Sequence, residues 1–185
     1  MWHQTRWFKT EGMNVLRRVG LKESDVVLDF GCGSGNYTIP AAKIVGTRGK
    51  IYALDMNERK LDVLRERVER EGLRNVEIIC TSGELKLNFD DESIDVILAY
   101  DVLHHWYFPN SRKRRIIIKE FYRVLRFEGL LSFYPGDPQI YGNESEVKEI
   151  INDIESVGFR LIGTYKGIVM HEDRLLAGSI INFMK

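Results

Sequence analysis

The chain is poor in cysteine and proline, with two of the first and four of the second among 185 residues. Cys32 and Cys80 each adjoin an apolar run, cannot supply the paired thiol and imidazole sets of a metal site, and fit a reducing cytoplasm rather than a disulfide framework. No apolar stretch approaches the ~18 residues of a membrane helix, so no membrane insertion is expected, and Met1 to Lys9 lacks the apolar core of a signal peptide. An excess of either charge is missing too: 27 basic residues balance 27 acidic ones, and no global field gathers nucleic acid or an anionic surface. Repeats, low-complexity tracts and Ser/Pro linkers are absent. A chain of this length buries roughly 70% of the surface it would expose unfolded. It is expected to form one domain, with residues 1–24 a short N-terminal cap and residues 25–185 the core.

What the sequence does have is alternation. Apolar runs near 26–30, 50–55, 76–80, 94–100, 130–134, 159–165 and 177–184 predict strands. Between them lie segments with helical spacing, among them Leu61, Leu64 and Val68; Ile116, Ile117, Phe121, Val124 and Leu125; and Val147, Ile150, Ile151, Ile154 and Val157. Strands that are apolar nearly throughout, alternating with helices, predict an α/β, Rossmann-like, seven-stranded and mainly parallel sheet with helices on both faces. The last two strands are joined by about ten residues without helical spacing, which predicts an antiparallel C-terminal strand.

The stretch VVLDFGCGSGNYT, residues 26–38, runs the first strand into Gly31, Gly33 and Gly35 and then into a helix. Ligands of open parallel sheets bind beyond the carboxyl ends of the strands, and a glycine loop there lets backbone approach one. The dinucleotide pattern Gly-x-Gly-x-x-Gly is broken, because the third glycine comes one residue early and Asn36 stands in its place. No Gly-Lys-Ser/Thr follows, which excludes a phosphate-cradling P-loop. Asp29, two residues before the first glycine, would repel a pyrophosphate but accept hydrogen bonds from a cationic amino group. Asp55 ends the second strand, where an acid can accept from both hydroxyls of a ribose.

D-F-G-C-G-S-G, then I-Y-A-L-D, then D-D-E-S-I-D-V-I-L-A-Y-D-V-L-H-H together resemble a class I S-adenosylmethionine-dependent methyltransferase, in the branch containing the ubiquinone and menaquinone biosynthesis methyltransferases. The resemblance covers residues 15–134 most strongly. It implies S-adenosyl-L-methionine as cofactor. Gly31, Cys32, Gly33 and Gly35 would lie under its methionine part with Asp29 near the amino group; Asp55 would hold the ribose and Met56 would lie against the adenine. The aspartate that relatives carry after the third strand is replaced here, so Ser82, the backbone at Gly83, or Glu84 would take the adenine amino group. Tyr100 and Asp101 would close over the cofactor near the methyl group. The implied activity is in-line methyl transfer to a small organic acceptor, with Asp101, His104 and His105 as candidates to take the acceptor's proton. Adjacent helical residues point ~100° apart, so at most one of the two histidines faces the site.

Alternatives stay open at this point: an RNA or protein methyltransferase, or a non-catalytic cofactor-binding protein. No Asn/Asp-Pro-Pro-Tyr follows the fourth strand, which argues against the amino-group chemistry that motif serves. Arg112, Lys113, Arg114 and Arg115 form the densest basic cluster; a solvated helix face is favoured over a nucleic-acid contact. Trp106, Tyr107 and Phe108 either line an acceptor pocket or anchor their loop. Trp2, His3, Trp7 and Phe8 either pack on the sheet or fold over the site. Short connections leave the pocket open, completed by a second subunit in a homodimer, or suited to a bulky acceptor.

Overall fold

A computed structural model describes residues 6–136 and 144–185; Trp2 and His3 lie outside them. Seven strands form one sheet in the order β3-β2-β1-β4-β5-β7-β6: β1 Val26–Phe30, β2 Lys50–Asp55, β3 Val76–Cys80, β4 Ile94–Tyr100, β5 Leu125–Tyr134, β6 Arg160–His171 and β7 Arg174–Met184. The first five are parallel, and β7 pairs antiparallel to both β5 and β6, as the missing helix between the last two strands predicts. Chain order reverses between β1 and β4, which sets the ligand crevice of such a sheet beside the loop that follows β1.

The helices are α1 Gly12–Val19, entered through a wide turn at Trp7–Glu11, α2 Thr38–Val45, α3 Glu58–Arg70, α4 Ser111–Val124 and α5 Glu144–Val157. Asn57 and Asn110 cap α3 and α4, their side chains accepting from the backbone N–H of Lys60 at 3.2 Å and of Arg112 at 2.8 Å. Alternation along the strands divides the core. Leu28, Ile97 and Phe133 face α4 and α5 through Phe121 and Ile154, whereas Val27, Leu98 and Tyr100 face α1 and α2 with Trp7, Leu16 and Tyr37.

Three boundaries differ from expectation. β5 begins at Leu125 rather than 130, continuing directly from α4. β6 and β7 run on to His171 and back from Arg174, so the expected ten-residue connection shrinks to Glu172 and Asp173. These two residues have φ of 42° and 66°, the paired left-handed geometry of a tight hairpin turn that usually selects Asn-Gly.

The basic cluster is partly internal. Arg114 is 2% exposed and reaches Asp153 at 2.7 Å and Glu149 at 2.5 Å, both on α5, while Arg115 reaches Asp153 at 3.1 Å. It clasps two helices together, and only Arg112, Lys113 and part of Arg115 meet solvent.

Candidate functional site

The loop after β1 is pinned from β2. The N–H groups of Gly31 and Cys32 both donate to the Leu54 carbonyl, at 2.8 and 3.1 Å. The Asp55 carboxylate then accepts from Gly33 N–H at 2.7 Å through one oxygen and from Asn57 N–H at 2.8 Å through the other. Gly31, Gly33 and Gly35 all have positive φ, but they serve different ends. A Cβ on Gly31 would lie 2.8 Å from Val102, and one on Gly35 would collide with Leu64, so these two permit the loop to pack. At Gly33 the nearest atom is Lys60 Cδ at 3.7 Å; this glycine keeps a cradle open instead. Cys32 is buried, and its thiol is pushed well above the usual range, first by burial and then by the charges of Asp29 and Asp55. It fills space and is not a nucleophile.

Asp29 is 3% exposed and accepts the Thr38 hydroxyl hydrogen bond at 2.5 Å. Burial raises its pKa from 3.8 to about 7, opposed by that hydrogen bond and reinforced by Asp55. The folded chain therefore holds the proton more tightly than the unfolded one, and it is the ionised form that burial penalises. This penalty is absent below pH 4, grows between about 4 and 7, and is complete above. Asp29→Asn keeps an oxygen for Thr38 and cannot ionise. Relative to that variant, wild type should lose up to roughly 4 kcal/mol of stability as pH rises through the window. Urea denaturation at acidic and alkaline pH measures this, and parallel stability profiles for the two proteins would refute it.

Beyond β2, Met56 is 63% exposed, and a Cβ on Gly83 would lie 3.0 Å from its Cε, so Met56 and the turn after β3 share one shelf. Ser82 does not stand there as an uncommitted acceptor: its hydroxyl donates to Glu84, as does that of Thr81 at 2.8 Å. These hydrogen bonds, Ser82's first, lower the Glu84 pKa to about 2. The negative charge on this shelf belongs to Glu84.

At the end of β4, Asp101 adopts φ 57°, with its N–H donating to the Tyr134 carbonyl at 2.8 Å. Its carboxylate lies 3.5 Å from His104 Nε2 and 3.0 Å from His171 Nδ1. Both imidazoles are buried while the Asp101 side chain is 28% exposed. His105 points away, exposed, toward Glu146 on α5; of the two adjacent histidines only His104 joins Asp101. Tyr100 does not close over the loop. It is buried between Tyr37 and Tyr134, its hydroxyl hydrogen-bonded with that of Ser132 at 2.7 Å, because strand alternation turns it to the α1 side. Trp106 is 72% exposed, whereas Phe108 packs on the core. The Tyr107 ring lies 5.1 Å from His104, and its hydroxyl pKa is raised by burial first, then by Asp101, Asp55 and Glu172.

The roof of the site escaped sequence reading. The β6–β7 tip lies beside the end of the glycine loop. Tyr37 donates to the Met170 carbonyl at 2.9 Å and accepts from its N–H at 3.0 Å, and Asp173 lies 3.7 Å from Arg67. Arg67 also donates to the Ser34 carbonyl and to Asn36 Oδ1, at 2.8 and 3.0 Å, and lies over the Phe8 ring. Trp7 is fully buried, donating to the Asn36 carbonyl at 2.6 Å. The N-terminal aromatics thus brace the loop. Among the described residues no cluster of side chains suits a metal ion, and no helix is long and apolar enough to cross a membrane.

A family model described as a methyltransferase domain matches residues 28–133. The chain is 31% identical over 130 residues to the demethylmenaquinone methyltransferase of Geobacillus stearothermophilus, covering 70% of this chain and 53% of that protein. Over 69 residues it is 36% identical to a probable cobalt-precorrin-6B C(15)-methyltransferase of Saccharolobus solfataricus, covering 37% of this chain and 34% of that one. The chain spans about half the length of the demethylmenaquinone methyltransferases it matches. Among solved structures, a SAM-dependent methyltransferase from Aquifex aeolicus superposes with a TM-score of 0.73 at 26% identity, over 97% of this chain and 92% of that one.

Proposed function

Because the chain belongs to the methyltransferase domain family, we propose that it is an enzyme transferring the methyl group of S-adenosylmethionine to a small organic acceptor. The observation that carries this reading is the open cradle at Gly33, with Asp55 joining its rim to the start of α3. Asp29, Gly31, Cys32, Gly33 and Gly35 would border the amino-acid part of the cofactor. Asp55, with lone pairs beyond the two it uses on backbone N–H groups, would take the ribose hydroxyls. Met56, Ser82, Gly83 and Glu84 would border the adenine. When bound, the cofactor supplies a sulfonium-activated methyl group with a neutral sulfide as leaving group. The protein's own work is to hold the acceptor in line, worth effective molarities of ~10⁵–10⁸ M, and to accept its proton, worth ~10²–10⁴-fold. Asp101 takes that proton, being the exposed member of its cluster.

A phenol or hydroquinone is the favoured acceptor class. An acidic hydroxyl suits a carboxylate base, and the similar Geobacillus protein is named for a quinone substrate. A nucleic-acid acceptor is disfavoured because Arg114 and Arg115 are engaged with α5. We place the enzyme in a reducing cytoplasm, in keeping with two free thiols, as one catalytic unit over 25–185 with the preceding segment bracing it. The test is a transfer assay with tritium-labelled cofactor and reduced 1,4-naphthoquinone. Label in the organic extract, lost in Asp101→Asn, is expected. Label in RNA with steep salt dependence would replace this reading.

A further inference from the structure

We infer that His171, at the tip of the C-terminal hairpin, is a positioning residue that aims the Asp101 carboxylate at the acceptor. This rests on the methyl-transfer reading of the same site. β7 pairs with β5 only as far as Ile181, opposite Phe133, whereas its pairing with β6 continues to Arg174, opposite His171. The hairpin therefore overshoots the sheet edge where the crevice lies. Its tip is not left to solvent: both backbone groups of Met170 are bound by the Tyr37 hydroxyl, and Asp173 faces Arg67 beside the glycine loop. That tethering delivers an imidazole, 2% exposed, to within 3.0 Å of Asp101 Oδ2, while His104 lies 3.5 Å from Oδ1.

A buried imidazole is costly unless its nitrogens are engaged, and the Asp101 carboxylate lies within reach of Nδ1. Asp101, for its part, holds a left-handed φ that non-glycine residues adopt rarely and mostly where surrounding structure enforces it. With one imidazole near each oxygen and the backbone N–H held by the Tyr134 carbonyl, the carboxylate is fixed in orientation, its Oδ1 buried on the His104 side and its Oδ2 lying on the His171 side. In the reaction an acceptor O–H or C–H bond breaks and its proton passes to Asp101. The acceptor's electron pair forms the bond to the methyl carbon, and the pair of the broken carbon–sulfur bond stays on sulfur. His171 takes no proton in this step and touches no substrate; it keeps the carboxylate where the proton leaves.

Two variants separate positioning from packing. His171→Leu fills the space without a donor, and His171→Asn restores an N–H near the place of Nδ1. With reduced 1,4-naphthoquinone, His171→Leu should lower kcat by about 10- to 100-fold, part of the ~10²–10⁴ available to a general base. KM for the acceptor and calorimetric affinity for S-adenosylmethionine should stay within about threefold, and His171→Asn should recover most of kcat. A Leu variant with wild-type kcat, or Asn and Leu variants equally impaired and equally less stable, would overturn the inference. Long-range ¹⁵N–¹H spectra of the imidazoles test the pairing without any ligand or turnover. His171 should carry its proton on Nδ1 and respond to Asp101→Asn; an Nε2–H ring indifferent to that change would also overturn it. Failure of wild type to bind the cofactor would sink the methyl-transfer reading while leaving that spectrum to judge the pairing.

Discussion

Asp55→Ala should weaken S-adenosylmethionine binding by about 2–4 kcal/mol, roughly 30- to 1,000-fold. The carboxylate has two jobs that one substitution removes together. It would accept from the ribose hydroxyls, and hydrogen bonds to a charged acceptor contribute about 1.5–3 kcal/mol. It also ties Gly33 N–H at 2.7 Å to Asn57 N–H at 2.8 Å, fixing the cradle before any ligand arrives. Without it the loop must be ordered on binding, which raises the cost further. Both donors lie near solvent and can turn to water, so the fold itself should survive. Calorimetry of the variant measures the effect, and an affinity within threefold of wild type would remove Asp55 from the site.

Asp153→Ala should destabilise the protein by roughly 3–5 kcal/mol, because it takes from a buried guanidinium its one buried carboxylate and leaves Nε without an acceptor. Arg114 is 2% exposed, and its other partner, Glu149, is over half exposed and so offsets less of the cost of burying the charge. For a domain of this size such a loss lowers Tm by about 6–20 °C. Replacing the pair by apolar residues, Arg114→Met with Asp153→Leu, should restore much of the loss, since the penalty lies in the unpaired charge and not in the missing attraction. Thermal unfolding of the three variants checks both statements. A fully stable Asp153→Ala would mean that Arg114 reaches water.

These two residues also mark what the sequence made legible. Asp55 stands at the end of an apolar run a fixed distance from a glycine loop, a local pattern that placed it beside that loop, where it holds the Gly33 N–H. The run Arg112 to Arg115 looked like one cationic surface, because a helix divides its sides only once its neighbours are known; α5 then claims Arg114. Alternation did hold the answer for Tyr100, which shares a face with Val96 and Leu98 and packs with them under α1. His104 and His105 do part, but in a turn between β4 and α4 and not on the helix that the ~100° argument assumed, so the reason for the split was not legible. His171 left no local trace. It lies 70 positions from Asp101, and the turn that brings it back uses Glu172 and Asp173, so no Asn-Gly pair announced a hairpin. Where the chain is held by long-range ties such as Tyr37 to Met170, a one-dimensional pattern has little to say.

Titration calorimetry with S-adenosylmethionine, and with NAD as the control, is the most direct test of the cofactor cradle. Saturable binding of one S-adenosylmethionine per chain, no binding of NAD, and loss of the signal in Gly33→Val is the predicted result, since a branched side chain at residue 33 would occupy the open space. Binding of NAD in preference, or an unchanged isotherm in Gly33→Val, would contradict the assignment of this loop.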